Sequence, residues 1–437
     1  MKNLIALLII ACTLLLAPPT FGAVTDTLPM GINLAGAEFG VTTYPGKLGT
    51  DYTYPTVNEI DYYASKNIKI LRLPFKWERI QPQFNGPLDS AQLSYITSFT
   101  DTCATRGISV ILDLHNYGTY YLNGVYYPVS GTMVTRAMFA DVWVKLATVF
   151  KNKTNIYAYD IMNEANDLGD QVWLFTAQGA INAIRTVDST TTIMIAGARN
   201  SSAECWPNCS DELKYLLDPG KNLVYDAHCF FDEDGLGYYN VSSYDAVGAD
   251  PYIGIRRARP FLEWLQLNDK KGFIGAFGAP GDDPRWVAVL DTFLQYITTN
   301  CVNGAYWAGG AWWPSDYPLS IEPESGNDKP QMNVLSKYMY VKPDCVPVNT
   351  TVSTVDNILT IYIYPSPFTS QITIDQGNCN SYTNYGIFDM SGRLVNKGVL
   401  QLNKNDINLS YLQPGVYVVK LLDAKNNAYV KKIIKMK

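Results

Sequence analysis

The run YAYDIM at residues 157–162, closed by Asn163 and Glu164, is the stretch on which the fold turns. Six residues with one charge are too few for a buried helix, and they read as a β-strand covered on both faces. The two polar residues then stand where the strand runs out into a loop. The same pattern recurs on either side: IKILRL (68–73) and SVILDL (109–114) before it, TIMIA (192–196), LVYDA (223–227), GFIG (272–275) and GAYW (304–307) after it. Pro29–Leu34 completes a set of eight. Segments with apolar positions at helical spacing, such as Val134–Phe150 and Arg256–Asn268, fall between them. Eight buried strands alternating with helices predict an α/β fold of the (β/α)8 barrel type. A doubly wound open sheet is the other arrangement of such units, but no glycine fingerprint follows the first run.

At 437 residues the chain exceeds a barrel of about 250 residues. After Val341, KPDCVPV (342–348) and a Thr, Ser and Asn stretch to Asn357 read as a linker. Beyond it come short alternating runs, Leu359–Tyr364, Gln371–Asp375, Tyr385–Asp389, Val416–Leu421 and Tyr429–Ile434, separated by turn residues at Pro365-Ser366-Pro367, Ser391-Gly392 and Pro414-Gly415. They predict a small all-β sandwich. The N-terminus carries Lys2, an apolar run from Leu4 to Ala17, then Pro18-Pro19 and small residues. That is a secretory signal with cleavage between Gly22 and Val24, since a membrane span needs about 20 apolar residues. The expected division is a signal at 1–23, a barrel at 24–342, a linker at 343–358 and a sandwich at 359–437.

Hydrophobic residues make up 47% and charged residues 17%, enough apolar material for a sizeable core. The formal charge is −6 with no basic run in the central region, which argues against nucleic acid as partner. A neutral substrate suits this balance. The 31 Tyr and 9 Trp offer faces on which sugar rings stack, although most aromatics fill cores. Of eight cysteines, Cys12 leaves with the signal, and the odd number remaining leaves at least one unpaired within the chain. Cys205 and Cys209 are the closest candidate pair. No metal site is expected: the only histidines, His115 and His228, lie far from paired cysteines, and no C-x-x-C occurs. No cofactor is expected, and the protein is expected to be a monomer.

Barrel enzymes place reacting groups where strands end. Arg72 lies in the second run; Asp113, His115 and Asn116 close the third; Asn163 and Glu164 close the fourth; His228 closes the sixth and Trp307 the eighth. Core packing alone does not account for polar groups at so many strand ends. Glu164 is the sharpest candidate, because a carboxyl in an aromatic pocket has its pKa raised and can protonate a leaving oxygen. A buried ion pair is the plainer alternative for it, and a hydrogen-bonded structural role is the plainer one for either histidine.

The segments LRLPFKWERIQP (71–82), LDLHNYGTYY (112–121), YDIMNEAND (159–167), LVYDAHCFFDEDG (223–235), GFIGAFGAPGDDPRW (272–286) and YWAGGAWWPSDYPLSIEP (306–323) resemble family 5 glycoside hydrolases, in the branch that holds many endo-β-1,4-glucanases. The resemblance implies that Glu164 is the general acid/base and that Asn163 holds the sugar 2-hydroxyl. It implies hydrogen-bonding roles around the carboxylates for Arg72, His115 and His228. Trp307 matches the aromatic floor under the cleaved sugar, and Trp206, Asn116 and Phe230 match binding positions. The substrate implied is a β-glucan.

Three departures stand out. The strand-seven motif usually reads G-E-F-G with the Glu as nucleophile, and here Gly275-Ala276-Phe277-Gly278 stands in its place. The family's tyrosine two residues past the strand-six histidine is Phe230, and the proline usual after the strand-four Glu is Ala165. The tyrosine hydroxyl normally contacts the nucleophile, so the first two losses touch one interaction. Alanine has no oxygen to attack the anomeric carbon, and losing a nucleophile costs about 10⁶ in kcat in the protease case. Without a neighbouring carboxylate, Glu164 should ionise at lower pH. The readings are an endo-β-1,4-glucanase crippled by Ala276, or a β-glucan-binding protein that no longer hydrolyses. A weaker third has Asp282 or Asp283 act as base for inversion, across the ~6.5–9.5 Å that mechanism needs.

In the tail, YPSPF (364–368), IFDMSGR (387–393), LQPGVY (412–417) and KKIIK (431–435) resemble a type IX secretion sorting domain. The resemblance implies export through the periplasm to the medium or cell surface, with the type IX machinery as partner. Two smaller features complete the reading. Asp232-Glu233-Asp234-Gly235 hints at a calcium loop but lacks later ligands, so a solvated loop is expected. Asp282-Asp283 should cap a helix starting near Pro284.

Overall fold

Eight parallel strands close into a barrel: β1 (Gly31–Leu34), β2 (Ile70–Phe75), β3 (Ser109–Leu114), β4 (Ile156–Asp160), β5 (Thr192–Ala196), β6 (Leu223–His228), β7 (Gly272–Phe277) and β8 (Asn303–Gly309), each beside its sequence neighbours and β8 closing on β1. The computed structural model describes residues 29–339, apart from 167 and 240–242, and residues 362–436, apart from 365–367, 377–381, 402–403 and 424–427. The expected signal at 1–23 and linker at 343–358 lie outside these. The chain divides into two units, residues 1–345 and 346–437.

Strand residues two apart share a face, and in this barrel that rule builds two layers of opposite character. Ile70, Ile111, Ala158, Met194, Val224, Phe273 and Ala305 form one buried apolar cluster, one residue from each of β2–β8. Gly31 completes the ring, where a Cβ would stand 3.0 Å from that of Ile70. Two residues further along come Asn33, Arg72, Asp113, Asp160, Ala196, Asp226, Gly275 and Trp307. Of these, Asn33, Arg72, Asp113, Asp160 and Asp226 are buried polar groups at 0% exposure. The apolar layer seals the barrel interior, and the polar layer carries the mouth.

Helices cover the outside. The expected helix near Val134 runs Arg136–Phe150, and Thr135 caps it by accepting from Met138 N. The helix at Ile253–Leu267 spans the expected segment. Asp283 caps Pro284–Thr299 by accepting from Arg285 N, as the sequence indicates. Cys103, Cys205, Cys209 and Cys229 are free thiols, so the Cys205–Cys209 pair is not bonded, whereas Cys301 is disulfide-bonded. Among the described residues no helix is long and apolar enough to cross a membrane.

Among the described residues the second unit holds seven strands: β9 (Tyr362–Tyr364), β10 (Gln371–Asp375), β11 (Tyr382–Asp389), β12 (Leu394–Val399), β13 (Lys404–Asn408), β14 (Gly415–Asp423) and β15 (Ala428–Lys435). They form two antiparallel sheets, ordered β9-β10-β13 and β12-β11-β14-β15. Ile372, Ile374 and Ile407 from one sheet meet Ile387, Val419, Leu421 and Ile433 from the other in one core. Strands β12 and β13 escape the sequence reading because LVNKGV and KNDIN are mostly exposed and lack an apolar alternation.

Gly275 is the tightest point of the polar layer. A Cβ there would lie 2.2 Å from both carboxylate oxygens of Asp226. Overpacking a core costs about 1–3 kcal/mol, and here it also presses on a buried acid. Gly275→Ala is expected to lower the unfolding free energy by roughly 3 kcal/mol, measured by urea denaturation of the barrel unit.

Candidate active site

The polar layer is organised by Arg72. Its Nε and Nη2 donate to Asp160 Oδ2 at 3.0 and 2.8 Å, and Nη1 donates to Asn33 Oδ1 at 2.8 Å and faces Asp113 Oδ2 at 2.9 Å. Nη2 also donates to Asn163 Oδ1 at 3.0 Å and lies 3.8 Å from Asp226. Burial pulls the guanidinium's pKa down, but Asp113, Asp160 and Asp226 raise it overall, so the cation is secure. The acids pay no such double role. Burial pushes Asp113 and Asp160 up to about 6, and it drives Asp226 well above the usual carboxylate range, with Asp160's charge the next cause. Of the three acids, Asp226 is thus the one whose protonated form burial favours most.

Above this layer the strand ends open into a cleft of about 490 Å³, lined by His115, Tyr117, Asn163, Glu164, Asn166, Asn200, His228, Phe230, Leu236, Gly237, Tyr238, Ala276, Trp307, Trp313 and Tyr317. Glu164 sits at the centre. His228 Nδ1 donates to its Oε1 at 2.7 Å, and Asn166 Nδ2 donates to its Oε2 at 3.3 Å. Burial raises this carboxyl, but the hydrogen bonds from His228 and Asn166 contribute to outweighing it, and the pKa lies below the ordinary glutamate value. Glu164, Tyr117 and Asn200 all have φ in the left-handed region, at 46°, 55° and 57°. Such backbone costs about 1–3 kcal/mol per residue and clusters at functional sites.

His115 is fixed from both sides. Its Nδ1 lies 2.6 Å from Asp113 Oδ2, and its Nε2 lies 3.0 Å from the Tyr117 hydroxyl. Burial, then the charges of Lys76 and Arg72, push its pKa well below the imidazole range. The ring is neutral, donating through Nδ1 to the carboxylate and accepting at Nε2 from the tyrosine. Trp307 stacks against it at 5.5 Å and 14°. Trp307 Nε1 donates to the Tyr317 hydroxyl at 3.0 Å, and Tyr317 in turn stacks on Trp313 at 4.1 Å.

Ala276 is the cross-strand partner of His228. Phe230 packs against Gly237, where a Cβ would fall 2.8 Å from the ring. Asp232 shapes that loop by accepting from Gly237 N and Tyr238 N at 3.0 and 2.9 Å. Its carboxylate is thus occupied by backbone, and no acidic or His/Cys cluster able to hold a metal occurs among the described residues.

The structure gathers Glu164, Ala276, Asn163, His115, His228, Phe230 and Trp307 in one cleft, with Arg72 directly behind Asn163. Three sequence expectations are corrected. Trp206 is fully buried between Tyr225, Phe261 and Trp264, because its indole turns inward from a four-residue helix. Asn116 also faces inward: Oδ1 accepts from Trp77 N at 2.9 Å and Nδ2 donates to Glu78 at 2.8 Å, so it braces a loop and does not line the cleft. Neither Asp282 nor Asp283 lines the cleft; Asp283 is spent on its helix cap and on Arg285. Tyr117, Asn166, Asn200, Tyr238, Trp313 and Tyr317 were missed. Tyr117, Asn166, Trp313 and Tyr317 lie inside the quoted motifs, whereas Asn200 and Tyr238 lie on loops with no periodic signal.

Behind the cleft, Glu38 is 5% exposed, accepts from Gly36 N at 2.7 Å through Oε2 and has no partner at Oε1. Burial raises its pKa to about 7. The folded protein therefore holds a proton that the unfolded chain releases near pH 4.5. The stability this gives is complete below pH 4.5 and is lost as pH rises to 7, about 3 kcal/mol in all. Glu38→Gln should flatten the fall in unfolding free energy between pH 5 and 8 by about that amount, checked by urea denaturation at several pH values.

The family model described as Cellulase (glycosyl hydrolase family 5) matches residues 32–315. A second, described as Secretion system C-terminal sorting domain, matches residues 362–436. Endo-beta-1,4-glucanase B of Emericella nidulans is 32% identical over 301 residues, 68% of this chain and 86% of that protein. The Pseudomonas stutzeri endoglucanase, solved in complex with cellobiose, is 40% identical with a TM-score of 0.68, covering 74% of this chain and 96% of that one. The Xanthomonas axonopodis pv. citri endo-beta-1,4-glucanase with a triple mutation is 37% identical with a TM-score of 0.67, covering 71% and 99%. The chain belongs to glycosyl hydrolase family 5, and its C-terminal unit is a secretion sorting domain.

Proposed function

We propose that this family 5 protein has the cleft of a retaining endo-β-1,4-glucanase, crippled because Ala276 stands where the nucleophile belongs. One observation carries the reading: among the described residues that line the cleft, Glu164 is the only carboxylate. Retention needs a second carboxyl about 5–5.5 Å away, and inversion needs one at about 6.5–9.5 Å to activate water. Glu164 is the acid/base residue. Asn163 gives its Oδ1 to Arg72 and so keeps its NH2 for a sugar 2-hydroxyl. Trp307 is the floor under the cleaved sugar, and neutral His115 can accept a sugar hydroxyl at Nε2 when Tyr117 yields it. The relatives' names support β-1,4-glucan as the ligand.

A second reading is a β-glucan-binding protein that does not hydrolyse. It is favoured by Phe230, whose ring has no hydroxyl to hold a carboxylate at 276 and which lines the same cleft. The unmodified chain should bind cello-oligosaccharides and hydrolyse them about 10⁶-fold below a working enzyme. Ala276→Glu should restore measurable release of reducing ends from soluble β-glucan, and adding Phe230→Tyr should raise it further through a hydrogen bond to the new carboxylate. Azide with an activated β-glucoside should yield the α-glycosyl azide. If neither variant nor azide gives turnover while binding persists, the binding-protein reading replaces the first. Brisk hydrolysis by the unmodified chain would show that the nucleophile lies elsewhere.

The protein is exported, with a signal at 1–23, a barrel at 24–342, a linker at 343–358 and a sorting module at 359–437. Deleting residues 358–437 should leave the barrel's melting temperature and its glucan affinity unchanged, and should strand the protein in the periplasm of a host with type IX export. Loss of glucan binding on deletion would make the module a carbohydrate platform instead.

A further inference from the structure

Strands β11, β12, β14 and β15 turn one face of their sheet to the core of the second unit, through Ile387, Val419, Leu421 and Ile433. A sheet solvated on its other face normally alternates apolar inside with polar outside. Here the outer face is apolar as well: Val399 and Val430 are 75% and 58% exposed, and Leu394 and Ile434 are open too. Three exposed lysines stand among them, Lys397, Lys420 and Lys432. Lys397 on β12 and Lys420 on β14 both pair with Gly386 on β11, so they flank it, about 10 Å apart across two strand spacings. Gly386 has no side chain, and a groove of about 480 Å³ opens there, with Phe388, Leu394 and Leu422 as apolar lining and a lysine to either side. A Cβ at 386 would stand 3.1 Å from the Phe388 ring. Among the described residues the carboxylate on these strands is Asp389, which shares the core-side row of Tyr417 and pairs with Arg393. The ion pairs described in this unit, Arg393–Asp389 and Lys404–Asp375, leave the three lysines to solvent.

The charge of the whole unit points the same way. Residues 346–437 carry nine lysines and arginines against five aspartates and no glutamate, a net of +4 in a chain whose total is −6. We propose, on the reading that this module directs export, that the outer face of the four-stranded sheet is where the module is received, and that its occupant is an acidic protein segment. An apolar side chain of that segment fills the groove over Gly386, and carboxylates beside it meet Lys397 and Lys420. Lys432 extends the positive surface onto β15. The hollow favours a peptide over a lipid surface, because an anionic bilayer is met by protruding apolar side chains, whereas these two cations stand on the walls of a depression. The face measures about 14 by 27 Å, roughly 400 Å², half of the ~800 Å² that each partner buries in a stable complex. A contact of that size is transient and depends on its charges, which suits a carrier that must release its cargo. Exposed charges are screened by salt, so the contact weakens as ionic strength rises.

The test uses the full chain, expressed in a host with type IX export and also purified for titration with a fluorescent peptide of sequence GSDDLFDDLDGS. The chain should bind this peptide and not its lysine counterpart, GSKKLFKKLKGS. Combining Lys397→Glu with Lys420→Glu should weaken peptide binding at least about tenfold, and Lys397→Arg with Lys420→Arg should retain it. In the host, the glutamate pair should leave the protein in the periplasm, with its melting curve and cellotetraose affinity unchanged. Arg393→Glu with Lys404→Glu alters the net charge equally away from the groove, and that variant should reach the medium and bind peptide as the unmodified chain does. Equal export of the two glutamate pairs, or peptide binding that the changes at 397 and 420 do not weaken, would overturn the proposal. Binding to phosphatidylglycerol vesicles in place of the peptide, lost in the same variant, would make the occupant a membrane and overturn it equally. Each of these outcomes leaves the export reading standing as long as the unmodified chain reaches the medium. An unmodified chain that stays in the periplasm of that host would overturn both.

Discussion

A single buried guanidinium holds the mouth of the barrel in register. Arg72, on β2, reaches Asn33 on β1, Asp113 on β3, Asp160 on β4, Asn163 just past β4 and the neighbourhood of Asp226 on β6. Burying such a cluster brings little net stability, since desolvation offsets most of the attraction. Its effect is geometric. Asp113 sets the tautomer of His115, His115 sets the plane of Trp307, and Asn163 sets the chain direction from which Glu164 emerges. Removing Arg72 would leave three buried acids without a cation, so the cluster stands or falls as a unit.

That unit also explains the electrostatics of the cleft. Three aspartates share one arginine, and burial with the charge of Asp160 raises Asp226 furthest of the three. A glutamate at 276 would add a further acid beside Gly275, which already touches Asp226. Its absence lets the histidine hydrogen bond decide the state of Glu164, whose pKa falls where a paired carboxylate would have raised it. The direction agrees with what losing the nucleophile predicts. On the proposed reading, alanine at 276 has two effects: it leaves no attacking oxygen and it favours the base form of Glu164.

The barrel was legible because a parallel strand covered on both faces leaves a compact apolar run, and each of the eight runs is distinct in the sequence. Strand ends were legible for the same reason: a polar residue closing such a run has nowhere to point but the mouth. Side-chain direction was not legible. Trp206 and Asn116 occupy the right neighbourhoods, but one indole turns into a nest of aromatics and one amide satisfies Trp77 and Glu78. Asn200 and Tyr238 reach the cleft from loops whose shape depends on distant partners, such as the Asp232 carboxylate that gathers the backbone of Gly237 and Tyr238. In the tail, β12 and β13 face solvent along most of their length, so alternation was too weak to mark them.

Preservation of the Arg72 cluster says little about activity, because breaking a buried ion pair costs about 3–5 kcal/mol and folding alone would maintain it. The backbone above it says more. Tyr117, Glu164 and Asn200 are held at positive φ, and none of them is a glycine. A chain kept only for its fold would gain stability by relaxing them. All three line the cleft, where Trp307 meets Trp313 edge-on and Trp313 stacks on Tyr317. Ala276 and Phe230 line that same cleft, and on the proposed reading both bear on one interaction, between a nucleophile and its hydrogen-bond donor. On the proposed reading, the aromatic lining holds sugar while Glu164, the one carboxylate among the described lining residues, is left without a partner for attack.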